Sequence, residues 1–115
     1  MRLKDIVDIL SADVLFGTDE LLNKEVNSAC ASDMMSDVLA YVKDQAVLVT
    51  GLCNPQVVRT AEMMDMVCVV LVRGKTPDSA MMKLAQERNI VMLTSPYRMF
   101  AACGLLYSAG LKPEG

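Results

Sequence analysis

The sequence predicts an α/β fold, a three-layer α/β/α domain built on a mostly parallel sheet of about five strands. In the second half of the chain, three short apolar segments are each followed by a loop, a polar residue with proline, and a helical pattern. Apolar strands that alternate with helices are typical of a parallel sheet covered on both faces. The 115 residues, 53% of them hydrophobic, suffice for one domain with one core.

Apolar periodicity predicts the elements of the first half. Leu3, Ile6, Val7 and Leu10 recur at helical spacing, whereas later segments are short and apolar or weakly alternating. The expected elements are a helix over 2–11, a strand over 12–17, a strand over 25–31, and a helix from Ser32 or Ser36 to about Lys43 or Asp44.

The second half repeats one unit three times. Asn, Thr and Ser favour the N-cap of a helix, and proline is well accommodated at the first helical position. The expected strands are 46–50, 67–72 and 90–94. Each precedes a helix, and these helices are expected to begin at Asn54-Pro55, Thr76-Pro77 and Ser95-Pro96 and to end near Met64, Arg88 and Gly110.

A candidate binding site lies where these three strands end. Right-handed crossovers bring the strand ends and helix starts to one edge of the sheet, where helix N-termini attract anions. Helix caps are also needed in the absence of a ligand, and neither specific phosphate-loop signature occurs. The residues expected to surround a phosphate, nucleotide or carboxylate are Thr50, Gly51, Asn54, Arg73, Gly74, Lys75, Thr94 and Ser95.

Composition argues against catalysis and against nucleic-acid binding. Histidine is absent, which excludes Ser-His and Cys-His nucleophile systems, and a net charge of −3 without a basic cluster disfavours nucleic acid. Asp33 and Asp37 stand four residues apart, but acids are common in a first helical turn. We therefore predict a non-enzyme with no catalytic residue, metal site or cofactor.

The cysteines indicate a reducing compartment, and the methionines indicate a surface for self-association. Cys30, Cys68 and Cys103 lie among small or apolar neighbours and are expected to be buried free thiols in a reducing, cytoplasmic setting, whereas Cys53 lies in a loop. No signal peptide or membrane-length apolar run is recognised. Tandem methionines such as Met34-Met35 and Met63-Met64 cannot all face one core, which favours a self-association face.

Two blocks resemble the DRTGG domain family over roughly positions 1–111, with 112–115 as a tail. These are Ala-Ser-Asp-Met-Met-Ser-Asp, beginning at Ala31, and Thr-Gly-Leu-Cys-Asn-Pro-Gln, beginning at Thr50. The resemblance implies a small, commonly dimeric α/β sandwich without catalysis of its own. Such modules accompany CBS domains in certain pyrophosphatases and resemble the amino-terminal domain of HPr kinase; free-standing copies are similar to proteins encoded near iron-hydrogenase genes.

Three functional hypotheses follow from the residues and the resemblance. The first is a non-catalytic regulatory or scaffold domain that forms a homodimer and acts through a protein partner, hydrogenase-related or another regulated enzyme. The alternative is a sensor of a nucleotide or other phosphorylated ligand. An accessory role in iron–sulfur assembly through Cys53 is the weakest, because one loop thiol supplies one ligand. The family's Asp-Arg and Thr-Gly-Gly are replaced here by Cys53-Asn54 and Arg73-Gly74-Lys75.

Overall fold

The computed structural model describes residues 1–42 and 46–113. Eleven elements alternate between helix and strand along these residues. In chain order they are α1 (Leu3–Ile9), β1 (Asp13–Phe16), α2 (Asp19–Leu22), β2 (Ala29–Ala31), α3 (Met35–Tyr41), β3 (Val47–Thr50), α4 (Pro55–Met63), β4 (Cys68–Leu71), α5 (Ser79–Arg88), β5 (Val91–Thr94) and α6 (Met99–Ser108).

The strands form one five-stranded sheet in the order β1-β5-β4-β3-β2. Neighbours from β2 to β5 are parallel, with Val47 opposite Cys68 and Cys68 opposite Val91. β1 is antiparallel to β5 at one edge, with Asp13 opposite Thr94. The predicted α/β class and mostly parallel five-stranded sheet are confirmed.

Helices cover both faces of the sheet. Val47 and Val49 of β3 pack toward α1 and α6, where Leu3 and Leu106 are also buried. Leu48 of β3 packs on the opposite face, among side chains of α3, α4 and α5. Alternate strand residues point to opposite faces, so every β3 residue is buried and the strand carries no polar stripe. The three layers are therefore α3, α4 and α5, then the sheet, then α1, α2 and α6.

Two of the three expected helix starts are wrong. Asn54 does cap α4, and its Oδ1 accepts a hydrogen bond from the amide of Gln56 at 2.9 Å. α5 instead begins after Asp78, whose Oδ1 accepts from the amide of Met81 at 2.8 Å. α6 begins after Arg98, three residues beyond Ser95. Pro77 and Pro96 therefore lie in turns, and α5 and α6 begin only after those turns.

Several other element boundaries also differ from the expected ones. The strand expected over 25–31 is shortened to Ala29–Ala31, and α2, a single turn capped by Thr18, was not expected. α3 begins at Met35, and the end expected near Lys43 or Asp44 lies outside the described residues. α6 ends at Ser108, two residues before the expected Gly110.

The methionines divide between the core and the surface, as their tandem spacing predicts. Met35, Met66, Met81 and Met92 are buried, whereas Met34 is 59% and Met63 69% exposed. Met34 immediately precedes α3 and Met63 ends α4, and both helices follow strands of a parallel pair. The two exposed methionines thus lie at opposite ends of their layer and do not form one continuous face.

Candidate functional site

A polar cavity of about 420 Å³ opens at the carboxyl edge of the sheet, on the side covered by α6. Three segments that follow β2, β3 and β4 meet there with the start of α6. Open parallel sheets commonly bind ligands at this edge, and a volume of this order falls within the range of small-molecule sites. The lining residues are Asp33, Gly51, Val72, Arg73, Arg98, Met99 and Phe100.

Asp33 joins the ends of β2 and β3. Its Oδ1 accepts a hydrogen bond from the Gly51 amide at 2.7 Å and another from the Thr50 hydroxyl at 3.0 Å. Oδ2 accepts no hydrogen bond from the residues that the structure describes. One oxygen of the carboxylate therefore fixes the loop, while the other remains able to accept from a ligand.

Arg73 and Gly74 form the turn that follows β4, and both have left-handed backbone torsions, with φ of 59° and 65°. The amide of Lys75 donates to the carbonyl of Val72 at 3.3 Å, which closes the turn. The amides of Arg73 and Gly74 donate to Tyr97 and Ser95 at 2.7 Å each. A left-handed torsion is unfavourable for arginine, whereas glycine at position 74 adopts it readily.

Two guanidinium groups, those of Arg73 and Arg98, and one carboxylate, that of Asp33, line this cavity. The Arg73 Nη2 atom lies 2.9 Å from the position that a Cβ on Gly51 would occupy, and Asp33 Oδ1 lies 3.5 Å from the same point. Among the described residues, neither Arg73 nor Arg98 takes part in an ion pair or a side-chain hydrogen bond. The cavity thus has an excess of positive charge in a chain of net charge −3.

Lys75 and Asn54 lie at the same edge but serve the loops. The Lys75 ammonium donates to the carbonyl of Gly51 at 2.9 Å, which ties the turn after β4 to the loop after β3. Asn54 caps α4. The structure therefore brings Gly51, Arg73 and Lys75 together, whereas Asn54 borders the site through its helix.

The three predicted hydroxyl residues are buried and already hydrogen-bonded. Thr50 donates to Asp33, as described above. The Thr94 hydroxyl donates to the carbonyl of Lys75 at 2.6 Å, and that of Ser95 donates to the carbonyl of Leu10 at 2.8 Å. These buried side chains hold the loops in place through their hydrogen bonds, and none of them lines the cavity.

The expected source of anion affinity also differs. Sequence reasoning relied on free helix amides, but the Gly51 amide is bound to Asp33 and the Leu52 amide to the Thr50 hydroxyl at 3.1 Å. The Gln56 amide is bound by the Asn54 cap. Positive charge at this edge comes from side chains, chiefly Arg73 and Arg98.

Sequence reasoning predicted Gly51 and Arg73 but missed the other five residues that line the cavity, which are Asp33, Val72, Arg98, Met99 and Phe100. Asp33 was attributed to a first helical turn, yet it precedes α3 and binds across to the next loop. Arg98 and Phe100 were assigned to the interior of a helix that begins later than expected. Phe100 is 93% exposed, and that exposure is not evident from a uniformly apolar helix.

The four cysteines are free thiols. Cys68 is buried as expected, whereas Cys30 and Cys103 are half-buried. Burial raises the pKa of the Cys30 thiol to about 11, with a smaller contribution from Cys103, and burial also raises the pKa of Cys68 and of Cys103. Within residues 1–42 and 46–113, no three Cys, Asp or Glu side chains lie close enough to hold a metal ion.

The fold and this cavity together define a small α/β/α domain with a ligand-sized polar site at the carboxyl edge of its sheet. The DRTGG domain family matches residues 5–109, and the chain belongs to that family. The resemblance seen in the blocks at Ala31 and Thr50 is thereby confirmed. Among curated proteins, no match was found. No helix in the described part of the chain is long and apolar enough to cross a membrane.

A solved structure with the same fold is the CBS and DRTGG regulatory region of Clostridium perfringens pyrophosphatase, complexed with its activator diadenosine tetraphosphate. The TM-score is 0.74 at 19% identity, and the match covers 97% of this chain. It spans 48% of the pyrophosphatase chain, so this chain corresponds to about half of that region.

Proposed function

We propose that this chain is a non-catalytic regulatory domain that binds a nucleotide or a similar phosphorylated ligand in the cavity at the carboxyl edge. The observation that carries the proposal is the pair of guanidinium groups, Arg73 and Arg98, on one cavity of about 420 Å³. Guanidinium forms bidentate, charge-assisted hydrogen bonds with phosphate. Two such groups outnumber the single carboxylate of the cavity, Asp33, and neither forms an ion pair with a described residue, which favours an anion over a neutral ligand.

The other cavity residues favour a nucleotide over orthophosphate. Phe100 presents an exposed ring at the mouth of the cavity, and a base can stack on a ring of this kind. The free Oδ2 of Asp33 can accept hydrogen bonds from sugar hydroxyls. A ligand that combines phosphate, sugar and base would use all three features.

The pyrophosphatase regulatory region supports this reading at the level of the fold. That region binds diadenosine tetraphosphate as an activator. This chain corresponds to about half of that region, so binding of diadenosine tetraphosphate is a property of the whole pyrophosphatase region. It nevertheless guides the choice of ligands to test on this chain. Adenine nucleotides are therefore the first class to examine.

The test is calorimetric titration of the full chain with ATP, AMP and inorganic phosphate. We expect ATP and AMP to bind more tightly than phosphate, and the affinity to weaken with added salt because the contacts are ionic. Arg73→Met should lower ATP affinity about tenfold or more, the size expected for one charge-assisted contact. Absence of ATP and AMP binding at millimolar concentration would overturn the proposal.

Arg59→Met provides the matched control. Arg59 is exposed on α4, on the other side of the sheet, and lines a separate groove with Lys83 and Glu87. The substitution removes the same charge without touching the cavity. An equal loss of affinity in both variants would indicate nonspecific attraction and would also contradict the proposal.

A second candidate function is a self-associating scaffold that acts through a protein partner, such as a hydrogenase-related or other regulated enzyme. The exposed rings on α6 favour it, since Phe100 and Tyr107 are 93% and 70% exposed. The two functions are compatible, because a regulatory domain can transmit ligand occupancy through a contact surface.

A further inference from the structure

A second cavity, of about 280 Å³, opens between the edge strand β2 and the second half of α6. It is separate from the polar cavity at the carboxyl edge, because the two have no lining residue in common. Its walls are mainly apolar and include two half-buried thiols, those of Cys30 and Cys103. Leu106 of α6 and Lys112 beyond that helix also line this cavity, the thiol pocket.

Small side chains on β2 create the space. In the parallel ladder Ala29 lies beside Val47 and Ala31 beside Val49. Paired residues of a ladder face the same side of the sheet, so both alanines face the layer of α6, as the two valines do. A methyl group extends less far from the strand than the side chain of valine. The sheet is therefore not in close contact with α6 at this edge, and open volume remains between them.

Two hydrogen-bond donors border the thiol pocket. Lys112 is the one charged residue among those that line it, and its exposed ammonium forms no ion pair with a described residue. The second donor is the Ala31 amide. The Ala29 amide donates outward to the carbonyl of Lys112 at 3.0 Å, and the Ser32 amide donates inward to Val49 of β3 at 3.1 Å. Because amides alternate in direction along a strand, that of Ala31 also points outward, away from β3.

We propose that the thiol pocket binds a small monocarboxylate with an apolar body, such as a medium-chain fatty acid. The hydrocarbon part occupies the space between the two alanines of β2 and α6. The carboxylate accepts hydrogen bonds from the Lys112 ammonium and the Ala31 amide. Apolar walls with a few polar groups are the usual composition of a small-molecule site. This binding function is additional to the proposed one and does not depend on nucleotide binding.

Volume and charge together define the class of ligand. Ligand pockets commonly measure about 300 to 1,000 Å³, so a pocket of about 280 Å³ suits a small molecule. Apolar walls disfavour phosphate, because a doubly charged group costs more to desolvate than a carboxylate does. The described residues that line the pocket include an ammonium and no carboxylate, which favours an anion over a neutral molecule of the same shape.

The thiol of Cys103 reports whether the pocket is occupied. The experiment measures the rate of Cys103 alkylation in the full chain by mass spectrometry, with octanoate, 1-octanol or acetate present. We expect octanoate at about ten times its dissociation constant to slow the reaction about tenfold, because only about one site in ten is then empty. Octanol lacks the charge that Lys112 recognises, so it should need about tenfold more for the same effect. Acetate lacks the apolar body and should have no effect.

Cys53 is the internal control for this measurement. It is also half-buried, but it lies outside the thiol pocket, so its alkylation rate should be the same with every additive. Full-rate alkylation of Cys103 at millimolar octanoate would overturn the proposal, and so would equal protection by octanol and octanoate. Slowing of Cys53 by the same factor as Cys103 would indicate a general effect on the chain and would also contradict it.

Two variants test the parts of the site separately. Lys112→Met should remove the preference for octanoate over octanol, whereas Lys83→Met, at an exposed lysine of α5 across the sheet, should retain it. Ala31→Leu should fill the pocket, abolish octanoate binding in calorimetry and raise the melting temperature by about 2 to 4 °C, because it covers apolar surface. A stabilised variant that does not bind excludes misfolding as the cause.

Ala40→Leu, at an exposed position of α3, is the control for the added leucine and should bind octanoate like wild type. Octanoate binding by Ala31→Leu with wild-type affinity would place the ligand elsewhere and overturn the proposal. ATP titration of the same samples is independent of these results. Failure of octanoate binding with ATP binding retained would leave the proposed nucleotide function intact.

Discussion

The guanidinium of Arg73 occupies the space that a side chain on Gly51 would fill, with Nη2 2.9 Å from the position of the missing Cβ. Gly51 follows β3 and Arg73 follows the neighbouring strand, β4. Because Gly51 has no side chain, the guanidinium of Arg73 can lie against the backbone at the end of β3. The charge of the cavity therefore depends on a glycine with an unremarkable backbone conformation.

Gly51→Ala should weaken ligand binding without unfolding the protein. The added methyl group displaces the far end of a flexible side chain, which costs little stability, but it moves the Arg73 charge away from its present position. We expect ATP affinity to fall about fivefold, roughly 1 kcal/mol, with unfolding free energy changed by less than about 0.5 kcal/mol. Calorimetry and urea denaturation measure the two effects. Unaltered ATP affinity would contradict this placement of Arg73.

Arg73→Gly should stabilise the fold while impairing the site. The φ of 59° at Arg73 is strained for a residue with a Cβ and relaxed for glycine. We expect a gain of about 0.5 to 1 kcal/mol in unfolding free energy. ATP affinity should fall about tenfold or more, as for Arg73→Met. A loss of stability would indicate that the arginine side chain supports the turn itself.

Ser95→Ala should destabilise the protein and leave ligand affinity within about twofold of wild type. The buried hydroxyl donates to the carbonyl of Leu10 at 2.8 Å and accepts from the amide of Tyr97 at 3.3 Å. Its removal leaves buried polar groups unpaired at a cost of about 1 to 3 kcal/mol. Ser36→Ala, at an exposed position of α3, is the control and should be near neutral. A large loss of ATP affinity at unchanged stability would restore Ser95 as a ligand residue.

Thr60→Val should stabilise the protein. The Thr60 Oγ1 is buried and, within the described residues, has no hydrogen-bond partner. Valine has nearly the same shape without a polar atom to desolvate, so we expect a gain of about 1 kcal/mol and a melting temperature higher by about 4 °C. Thr60→Ser keeps the hydroxyl and removes a methyl group, so it should be less stable than wild type. Calorimetric melting of both variants tests the pair.

The Cys30 and Cys68 thiols should be poorly reactive in the native state. With a pKa of about 11, about one Cys30 thiol in a thousand is ionised at pH 8, against about one in ten at the ordinary value of 9.0. Native iodoacetamide labelling of Cys30 and Cys68, followed by mass spectrometry, should be much slower than labelling in urea. Labelling of Cys30 at the denatured rate would refute the raised pKa.

The same pKa gives a pH dependence of stability. Folding raises the pKa of Cys30, so the native state holds its proton more tightly than the unfolded chain does. This contribution to stability is complete below about pH 9 and is lost as the pH rises toward about 11. Urea denaturation across this interval should show a smaller decline in Cys30→Ala than in wild type. An equal decline in both would exclude Cys30 as the source.

Local patterns identified the buried strands β3, β4 and β5 because each is a run of apolar residues, followed in β3 and β5 by one threonine. They also identified Asn54, whose capping contact spans two residues. They failed where the deciding contact was distant in sequence. Asp33 binds Gly51 eighteen residues away, and Ser95 binds Leu10 eighty-five residues away. Thr76 and Asp78 are both suitable N-cap residues for α5, and the sequence alone does not show that the chain continues as a turn through Pro77 before the helix begins.

The same limit applies to the site. Gly51, Arg73 and Lys75 follow strand ends, so the topology alone brings them to one edge. Arg98 and Phe100 belong to the cavity only because the segment after Ser95 runs on for three residues before α6 begins. The length of that segment has no signature in propensity or periodicity, and the ring of Phe100 could therefore not be placed at the cavity from the sequence.

The position of the cavity relative to the sheet has a practical consequence. α3, α4 and α5 cover one face, whereas α1, α2 and α6 cover the other, and the cavity lies on that second side. Lys83 is on α5, on the first side. A fluorophore or a surface tether attached there would leave the cavity and α6 facing solution. The domain can thus be immobilised in a single orientation for kinetic measurements of both ligand and self-association.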